Sequence, residues 1–249
     1  MEHLVERLAQ MLLEARYAIA LTGAGVSTDS GIPDFRSPSS GLWAQVNPMQ
    51  VASIEGFYSD PKRFYEFWRL RFAKLSSAVP NITHRLLAEL EERRVIHAVI
   101  TQNIDDLHRK AGSQRVLEVH GNFTRGLCTG CRRLHRIEEV FARVERSGIP
   151  LCDACGQLLK PDVVLFGEWL PPAFEEALSE VERSDLLWVL GTSLEVYPVA
   201  GLVPRAKHQG ATIIIVNRER TPFDEIADLC IHSDLAPVMA HVRSLLTKK

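Results

Sequence analysis

Four short apolar runs, each stopping abruptly at glycine or at hydrogen-bonding side chains, constrain this chain more than any other feature. Tyr17-Ala-Ile-Ala-Leu21 runs into Gly23-Ala-Gly25, and Ile96-His-Ala-Val-Ile100 into Thr101-Gln-Asn-Ile-Asp105. Leu186-Leu-Trp-Val-Leu190 meets Gly191-Thr-Ser193, and Ile213-Ile-Ile-Val216 meets Asn217-Arg-Glu219. A strand that is apolar along its whole length is buried on both faces, as in a parallel sheet covered by helices. Helical spacing fills the gaps. Leu4, Val5, Leu8, Met11 and Leu12 predict a helix over 2–15, and others are expected over 82–94, 172–183, 198–209 and 235–247, with Gly210 placed to end the fourth. Ligands of such sheets sit beyond the carboxyl ends of the strands, so the four polar stretches converge on one crevice.

Two segments interrupt the alternation. Residues 37–81 hold Pro38, Gly41, Pro48 and Pro61, then the helix-like aromatic run Phe64-Tyr-Glu-Phe-Trp68; residues 124–160 carry four of the five cysteines. Both read as insertions that together build a second, smaller domain. The larger domain is then 1–36, 82–123 and 161–249. The apolar content of 46% over 249 residues suffices for one substantial core and a satellite. A net charge of −2 supplies no field to recruit nucleic acid or a membrane surface. The apolar runs are far shorter than the ~20 residues of a spanning helix. Met1-Glu-His-Leu-Val-Glu-Arg7 does not resemble a secretory signal, so a cytoplasmic protein is expected.

In that reducing compartment the cysteines do not form a disulfide framework. Cys128-x-x-Cys131 and Cys152-x-x-Cys155 stand twenty residues apart, two knuckles that can close a tetrahedral thiolate site around zinc. Four thiolates leave no position for water, so such a metal is structural. The alternative is two redox pairs. Arg125, Arg132, Arg133, His135 and Arg136 also allow a nucleic-acid-binding ribbon, but without a stacking platform or a basic excess.

The loop after the first strand, GAGVSTDSGIPDFRS, opens like a dinucleotide fingerprint and does not complete it. Gly23 and Gly25 permit close approach to a pyrophosphate, with Ser27 and Thr28 as hydroxyl donors, yet Thr28 stands where a third glycine belongs. Between Phe35 and Ile54 no acidic residue is available for the adenosine ribose; Phe35 and Arg36 lie where a nicotinamide or phosphate would sit. Gln102, Asn103, Asp105 and Asp106 suit a sugar or amide ligand. His120, isolated after an apolar stretch, is either a satisfied core histidine or a catalyst. Pro161–Glu168 contains one more buried strand over Val163–Phe166, or an edge on which an extended peptide adds as a strand.

Taken in order, GAGVSTDSGIPDFR, TQNIDDLH, the isolated VHG, the paired CxxC units, KPDVVLFGE, GTSLEVYP and the VN after the last strand resemble the sirtuins, NAD-dependent protein-lysine deacylases, over residues 15–240. The resemblance implies an α/β fold: a Rossmann-like parallel sheet with helices on both faces, plus a small zinc-binding and helical domain formed by the two insertions. It also implies that NAD is a consumed co-substrate, so a dehydrogenase fingerprint need not be complete. In the family the acyl carbonyl oxygen attacks the ribose C1′ as nicotinamide leaves, giving an alkylimidate.

Carried over by position, His120 is the general base and Asn103, with Gln102, orients ribose and water. Ile104 and Asp105 hold the nicotinamide carboxamide. Phe35 shields the ribose and Arg36 acts near the phosphates, where Thr192 and Ser193 also lie. Asn217 meets the adenosine ribose. Gly23, Ala24, Gly25, Ser27, Thr28, Asp34, Gly191, Arg218, Glu219 and Ala236 complete the NAD contacts. Val164, Phe166 and Val196 line the tunnel for the acyl-lysine, with Gly167 and Glu168 beside them. The zinc ligands are Cys128, Cys131, Cys152 and Cys155.

A deacetylase of acetyl-lysine peptides, monomeric and without nucleic-acid or membrane partners, is the expected function. Desuccinylase or demalonylase activity is the alternative. That branch of the family carries Ala…Tyr-x-x-Arg, and this chain offers Ala52, then Trp68-x-x-Arg71, in which only the arginine matches the carboxylate reader. An NAD-linked dehydrogenase and a non-catalytic NAD-binding zinc protein also stay open.

Overall fold

The computed structural model describes residues 1–34 and 46–246. Phe35 and Arg36 lie outside the described residues. In chain order the first elements are α1 (Glu2–Glu14), β1 (Ala18–Thr22), a 3-10 helix (Ala24–Ser30), α2 (Pro48–Val51), α3 (Ile54–Ser59) and α4 (Pro61–Ser77). Then come α5 (Ile82–Glu92), β2 (Ile96–Thr101), α6 (Leu107–Lys110), β3 (Val116–Glu118), β4 (Gly121–Cys128), β5 (Leu134–Arg136) and α7 (Ile137–Ser147). The rest is β6 (Leu159–Val163), α8 (Ala173–Arg183), β7 (Leu186–Leu190), a 3-10 turn (Val199–Gly201), α9 (Leu202–His208), β8 (Thr212–Val216), a further 3-10 turn (Asp224–Ile226), β9 (Leu229–Ile231) and α10 (Leu235–Leu246).

Six strands form a parallel sheet in the order β3-β2-β1-β7-β8-β9. The alternation of side chains explains why the runs are apolar throughout. Ala18, Ala20, Trp188 and Ile214 point into one core with Leu8 and Leu12 of α1, Leu86 and Leu90 of α5, and Met239 and Val242 of α10. Ile19, Leu21, Val189 and Ile215 point the other way, against Ala177 and Val181 of α8 and Val203 and Ala206 of α9. Helices on both faces follow directly. The order reverses between β1 and β7, so the loops leaving these two strands emerge side by side. Their register pairs Thr22 with Leu190, which sets Gly23 against Gly191. This is the switch point where ligands of doubly wound sheets bind.

The expected helix over 198–209 divides: residues Val199–Gly201 take a tighter 3-10 turn and α9 starts at Leu202, which leaves Pro204 in the first turn, where its missing N–H is harmless. Gly210 follows that helix with φ +89°, the left-handed conformation a glycine adopts freely.

Pro48 and Pro61 of the first insertion begin helices. Asn47 and Asp60 cap α2 and α4 by accepting from Met49 N and Arg63 N, with Pro48 and Pro61 at the first helical positions. The second insertion folds as an antiparallel sheet, β5-β4-β6, with α7 across it. Phe57, Phe64, Tyr65 and Trp68 from the first insertion share one core with Phe123, Val140, Phe141, Leu159 and Leu165. Aromatic rings fill it, Phe72 stacking on Phe141 at 4.3 Å between centroids.

The strand expected over Val163–Phe166 is displaced. The ladder covers Leu159–Val163, after which Val164 N donates to His120 O (2.9 Å), Phe166 N to Ala52 O (2.8 Å) and Ile54 N to Phe166 O (3.0 Å). This segment ties the two insertions and the parallel sheet together and cannot continue a single ladder. Among the described residues no helix is long and apolar enough to cross a membrane.

Candidate active site

Glycine at the switch point answers to protein packing. A Cβ on Gly23 would stand 2.5 Å from Thr192 Cβ, one on Gly25 2.9 Å from Gly191 Cα, and one on Gly191 2.7 Å from Val26 N. Gly23 N donates to Leu190 O and Gly25 N to Gly191 O. The sequence assigns the two glycines to a pyrophosphate; in the structure the space a side chain would need belongs already to the neighbouring loop. Their backbone still lines the cleft that opens above.

Behind this loop lies a buried polar web. Asn103 Nδ2 donates to Gly23 O (3.0 Å) and Ser27 Oγ (3.1 Å), and Ser27 Oγ donates to Asp105 Oδ2 (2.6 Å). Asp105 Oδ1 accepts from Leu107 N (2.9 Å). Burial raises the Asp105 carboxyl, while Ser27 and Leu107 pull it back. Asn103 is fixed through its amide nitrogen, which leaves Oδ1 as the atom offered to the cleft. Gln102 Nε2 donates to Thr192 Oγ1 (3.0 Å), linking the loops after β2 and β7.

His120 stands where the parallel sheet meets the antiparallel one. Its Nδ1 lies 3.1 Å from Gln102 O. A carbonyl only accepts, so in the neutral ring Nδ1 carries the proton and Nε2 the lone pair. Burial lowers its pKa below the ordinary 6.5, against the opposing pull of the Gln102 carbonyl. The ring is therefore neutral near pH 7. Gly121 has φ +80°, and a Cβ there would lie 2.2 Å from Asp162 O. Only glycine lets β6 come this close to the histidine.

A cleft of about 940 Å³ joins these parts. It is lined by Gly23, Ala24, Gly25, Ser27, Thr28 and Asp34 from the first loop, and by Gln102 to Asp105 and His120. Val164, Phe166, Gly167 and Glu168 line it too, as do Gly191 to Ser193, Val196, Asn217, Arg218, Glu219, Trp68 and Arg71. Ala236 does not line it. It sits in the first turn of α10, and the preceding Ser233, Asp234 and Leu235 take that place.

Trp68, Arg71 and Glu168, read as ligand contacts, each also bind protein. Trp68 is 5% exposed and its Nε1 donates to Val51 O (2.8 Å), so the indole has no N–H for a carboxylate. Arg71 lies with its guanidinium 3.5 Å over the Phe67 ring and donates to Phe67 O. Glu168 Oε2 accepts from Lys160 Nζ and Leu165 N, both at 2.9 Å. Lys160, 9% exposed, also donates to Val163 O (2.6 Å). Sequence reasoning missed this lysine. The signal was a cation inside an apolar stretch, eight residues before an acid.

The four cysteine sulfurs lie within 4.8 Å of one another. Cys128 and Cys155 Sγ are 3.4 Å apart, Cys131 and Cys152 Sγ 3.7 Å. Zinc bonded at 2.3 Å to four thiolates sets them about 3.8 Å apart, so the group fits the ion. Burial pushes the Cys128 thiol up, but hydrogen bonds from Cys131 N–H, the Cys155 thiol and Gly130 N–H prevail and bring it to about 6.

The model of the Sir2 family matches residues 23–198. The chain is 47% identical over 245 residues to the NAD-dependent protein deacetylase of Sulfolobus acidocaldarius, covering 96% of each. It is 47% identical over 235 residues to the NAD-dependent protein deacylase of Thermococcus kodakarensis, covering 93% of this chain and 91% of that one. Among solved structures, a Sir2–p53 peptide–NAD+ complex superposes with a TM-score of 0.91 at 42% identity, over 98% and 99% of the two chains. A Sir2 bound to acetylated peptide gives 0.88 at 41%, over 98% of both.

Proposed function

The chain belongs to the Sir2 family, and we propose that it is an NAD-dependent protein-lysine deacetylase releasing deacetylated lysine, nicotinamide and 2′-O-acetyl-ADP-ribose. The observation that carries this is the tautomer of His120: a neutral imidazole whose Nδ1 is held by Gln102 O, with Nε2 left to take a proton in a cleft shared with the switch-point loops. Relatives named as NAD-dependent deacetylases support it, as do neighbours solved with NAD and acetylated peptide.

NAD supplies a ribose whose bond to nicotinamide is weak enough for an amide oxygen to displace. The protein's part is positional. Asn103, anchored through its amide nitrogen, presents Oδ1 to ribose and water; Ile104 and Asp105 hold the carboxamide. Gly23 to Thr28, Gly191 to Ser193, Asn217 and Arg218 surround the dinucleotide, with Phe35 and Arg36 assigned to ribose and phosphate from their motif alone. His120 Nε2 accepts the hydroxyl proton. Val164, Phe166 and Val196 enclose the lysine stem. Four thiolates hold one zinc that shapes the small domain and takes no part in chemistry. We read residues 1–36, 82–123 and 161–249 as the NAD-binding domain, and 37–81 with 124–160 as the small one, supported by the aromatic core the two insertions share. The same reading takes the chain as a cytoplasmic monomer without nucleic-acid or membrane partners; near-balanced charge supports the last point.

The fate of the dinucleotide tests this proposal. Incubation with NAD and an acetyl-lysine peptide should release nicotinamide without NADH absorbance; accumulation of NADH would point to the dehydrogenase alternative.

Acetyl is the preferred acyl group, because Trp68 has no donor to offer and Arg71 alone remains of the carboxylate reader. Matched peptides should be turned over at least about tenfold faster with acetyl than with succinyl, the two-donor reader being incomplete. Equal rates, with succinyl turnover abolished by Arg71→Met, would reverse the assignment.

Lys160 and Glu168 act one step removed from the peptide, holding the backbone of Val163 and Leu165. Lys160→Met leaves a mostly buried carboxylate unpaired, an expensive defect. The expected result is a peptide KM raised about tenfold, with the KM for NAD within about twofold of wild type and partial rescue by Lys160→Arg. An unchanged peptide KM would remove the pair from substrate binding.

A further inference from the structure

His135 is out of character for its strand. β5 is an edge of the small sheet, and the residues on either side of His135, Leu134 and Arg136, are exposed. The His135 side chain is only 7% exposed. Alternation along the strand turns it to the opposite face, and its partner on β4 is Gly126, which presents no side chain beside it. The burial has a direction. His135 Nε2 lies 3.8 Å from Cys152 Sγ, and Nδ1 lies 3.9 Å from Glu139 Oε2, one turn along in α7. The first contact is an N–H reaching sulfur; the second is too long for a hydrogen bond.

The sulfur it meets is a ligand of the proposed zinc. Cys128 takes the Cys131 N–H at 3.4 Å, and Cys152 takes the Ala154 N–H, backbone donors that each cysteine pair supplies whatever its other residues are. His135 is different, because its donor depends on the side chain. It stands on the strand that follows the first cysteine pair and reaches a ligand of the second, so the two pairs are joined through protein as well as through metal. Four thiolates outweigh the two positive charges of zinc, and the excess negative charge rests on sulfur. N–H groups aimed at sulfur offset that charge and hold the ligand in place. A ring lone pair turned to a thiolate would repel it, so the nitrogen that faces Cys152 carries a hydrogen.

We propose that His135 is a positioning residue of the zinc site, whose Nε2–H holds the Cys152 thiolate and sets how firmly the ion is retained. This rests on the reading of the four thiols as one zinc site. The consequence reaches beyond the metal. Cys128 pairs with Leu159 at the start of β6, the strand that leads to the backbone beside His120, so a firmly held ion keeps that backbone in register.

The test uses the full chain carrying its zinc, mixed with an excess of a chelating dye whose absorbance reports each ion released. His135→Phe keeps the bulk of the ring without a donor, His135→Leu is a second variant without one, and His135→Gln keeps an N–H. The variants without a donor should release zinc at least about tenfold faster than wild type, and His135→Gln should recover part of the difference. Cobalt in place of zinc gives a readout that lost packing alone would not move. Without the N–H the sulfur lone pairs lie higher in energy, so the thiolate-to-cobalt absorption band should shift to longer wavelength in both variants and return toward wild type in His135→Gln. Release within about twofold of wild type, or faster release with an unshifted cobalt band, overturns the inference and leaves the zinc site standing. Wild-type protein that holds no zinc overturns the zinc reading and the role of His135 with it.

Discussion

Alanine in place of His120 is expected to cut NAD-dependent deacetylation by about 10²–10⁴-fold, the usual contribution of a positioned general base. The loss belongs in kcat, because the ring's lone pair matters once the ribose hydroxyl must give up its proton. Zinc content and melting temperature should stay close to wild type, since the imidazole makes one hydrogen bond to protein, at Gln102 O. The pH profile carries a second signature. Burial lowers the His120 pKa, and the neutral ring is the active one. Activity is therefore full above the folded-state pKa and falls as acid protonates the ring. The acid limb of kcat/KM should lie below pH 6.5, the ordinary histidine value, and disappear from the residual activity of the alanine variant. Near-normal turnover in that variant removes His120 from the chemistry.

Loss of the zinc site should act at a distance. Cys128 ends β4, and the strand paired with it, β6, ends at Val163, next to the residue hydrogen-bonded to His120 O. The metal at one end of this small sheet therefore holds peptide-facing backbone at the other. Cys152→Ser should reduce zinc from one ion per chain to none. Each kcal/mol lost moves the midpoint of a chain this long by about 2–4 °C, so a fall on the order of 10 °C or more is expected. Amide-exchange protection should vanish from β4, β6 and α7 and persist in β1, β2, β7 and β8, which have their own core. Peptide KM should rise with it. Retained zinc and unchanged protection would show that the four thiols do not form one site.

How much of this was legible beforehand depends on the range of the interactions. The parallel sheet could be read because two-sided burial leaves continuous apolar runs such as Leu186–Leu190. The thiolate cluster was legible from the spacing within each pair of cysteines. The helical insertion was half legible. Its aromatic run was clear, but Pro48 and Pro61 were not read as the helix starts they are, with Asn47 and Asp60 capping immediately before them. What stayed hidden is tertiary. Nothing local reveals that Val51 O takes the Trp68 N–H, or that Lys160 reaches Glu168. Gly23 and Gly25 were recognised, but Gly191 and Thr192, which side chains at these positions would strike, lie far along the chain. The path of Val164–Phe166 shows the same limit, since Ala52, Ile54 and His120 pull it out of a regular strand.

The claim beneath all of this is that acetyl removal and cleavage of the dinucleotide are one event. Purified protein with acetyl-lysine peptide, with and without NAD, followed by mass spectrometry, tests it directly. One nicotinamide and one acetyl-ADP-ribose should appear for each lysine uncovered, and nothing should happen without NAD. Acetyl loss in the absence of NAD, or free acetate formed while NAD stays whole, would contradict it.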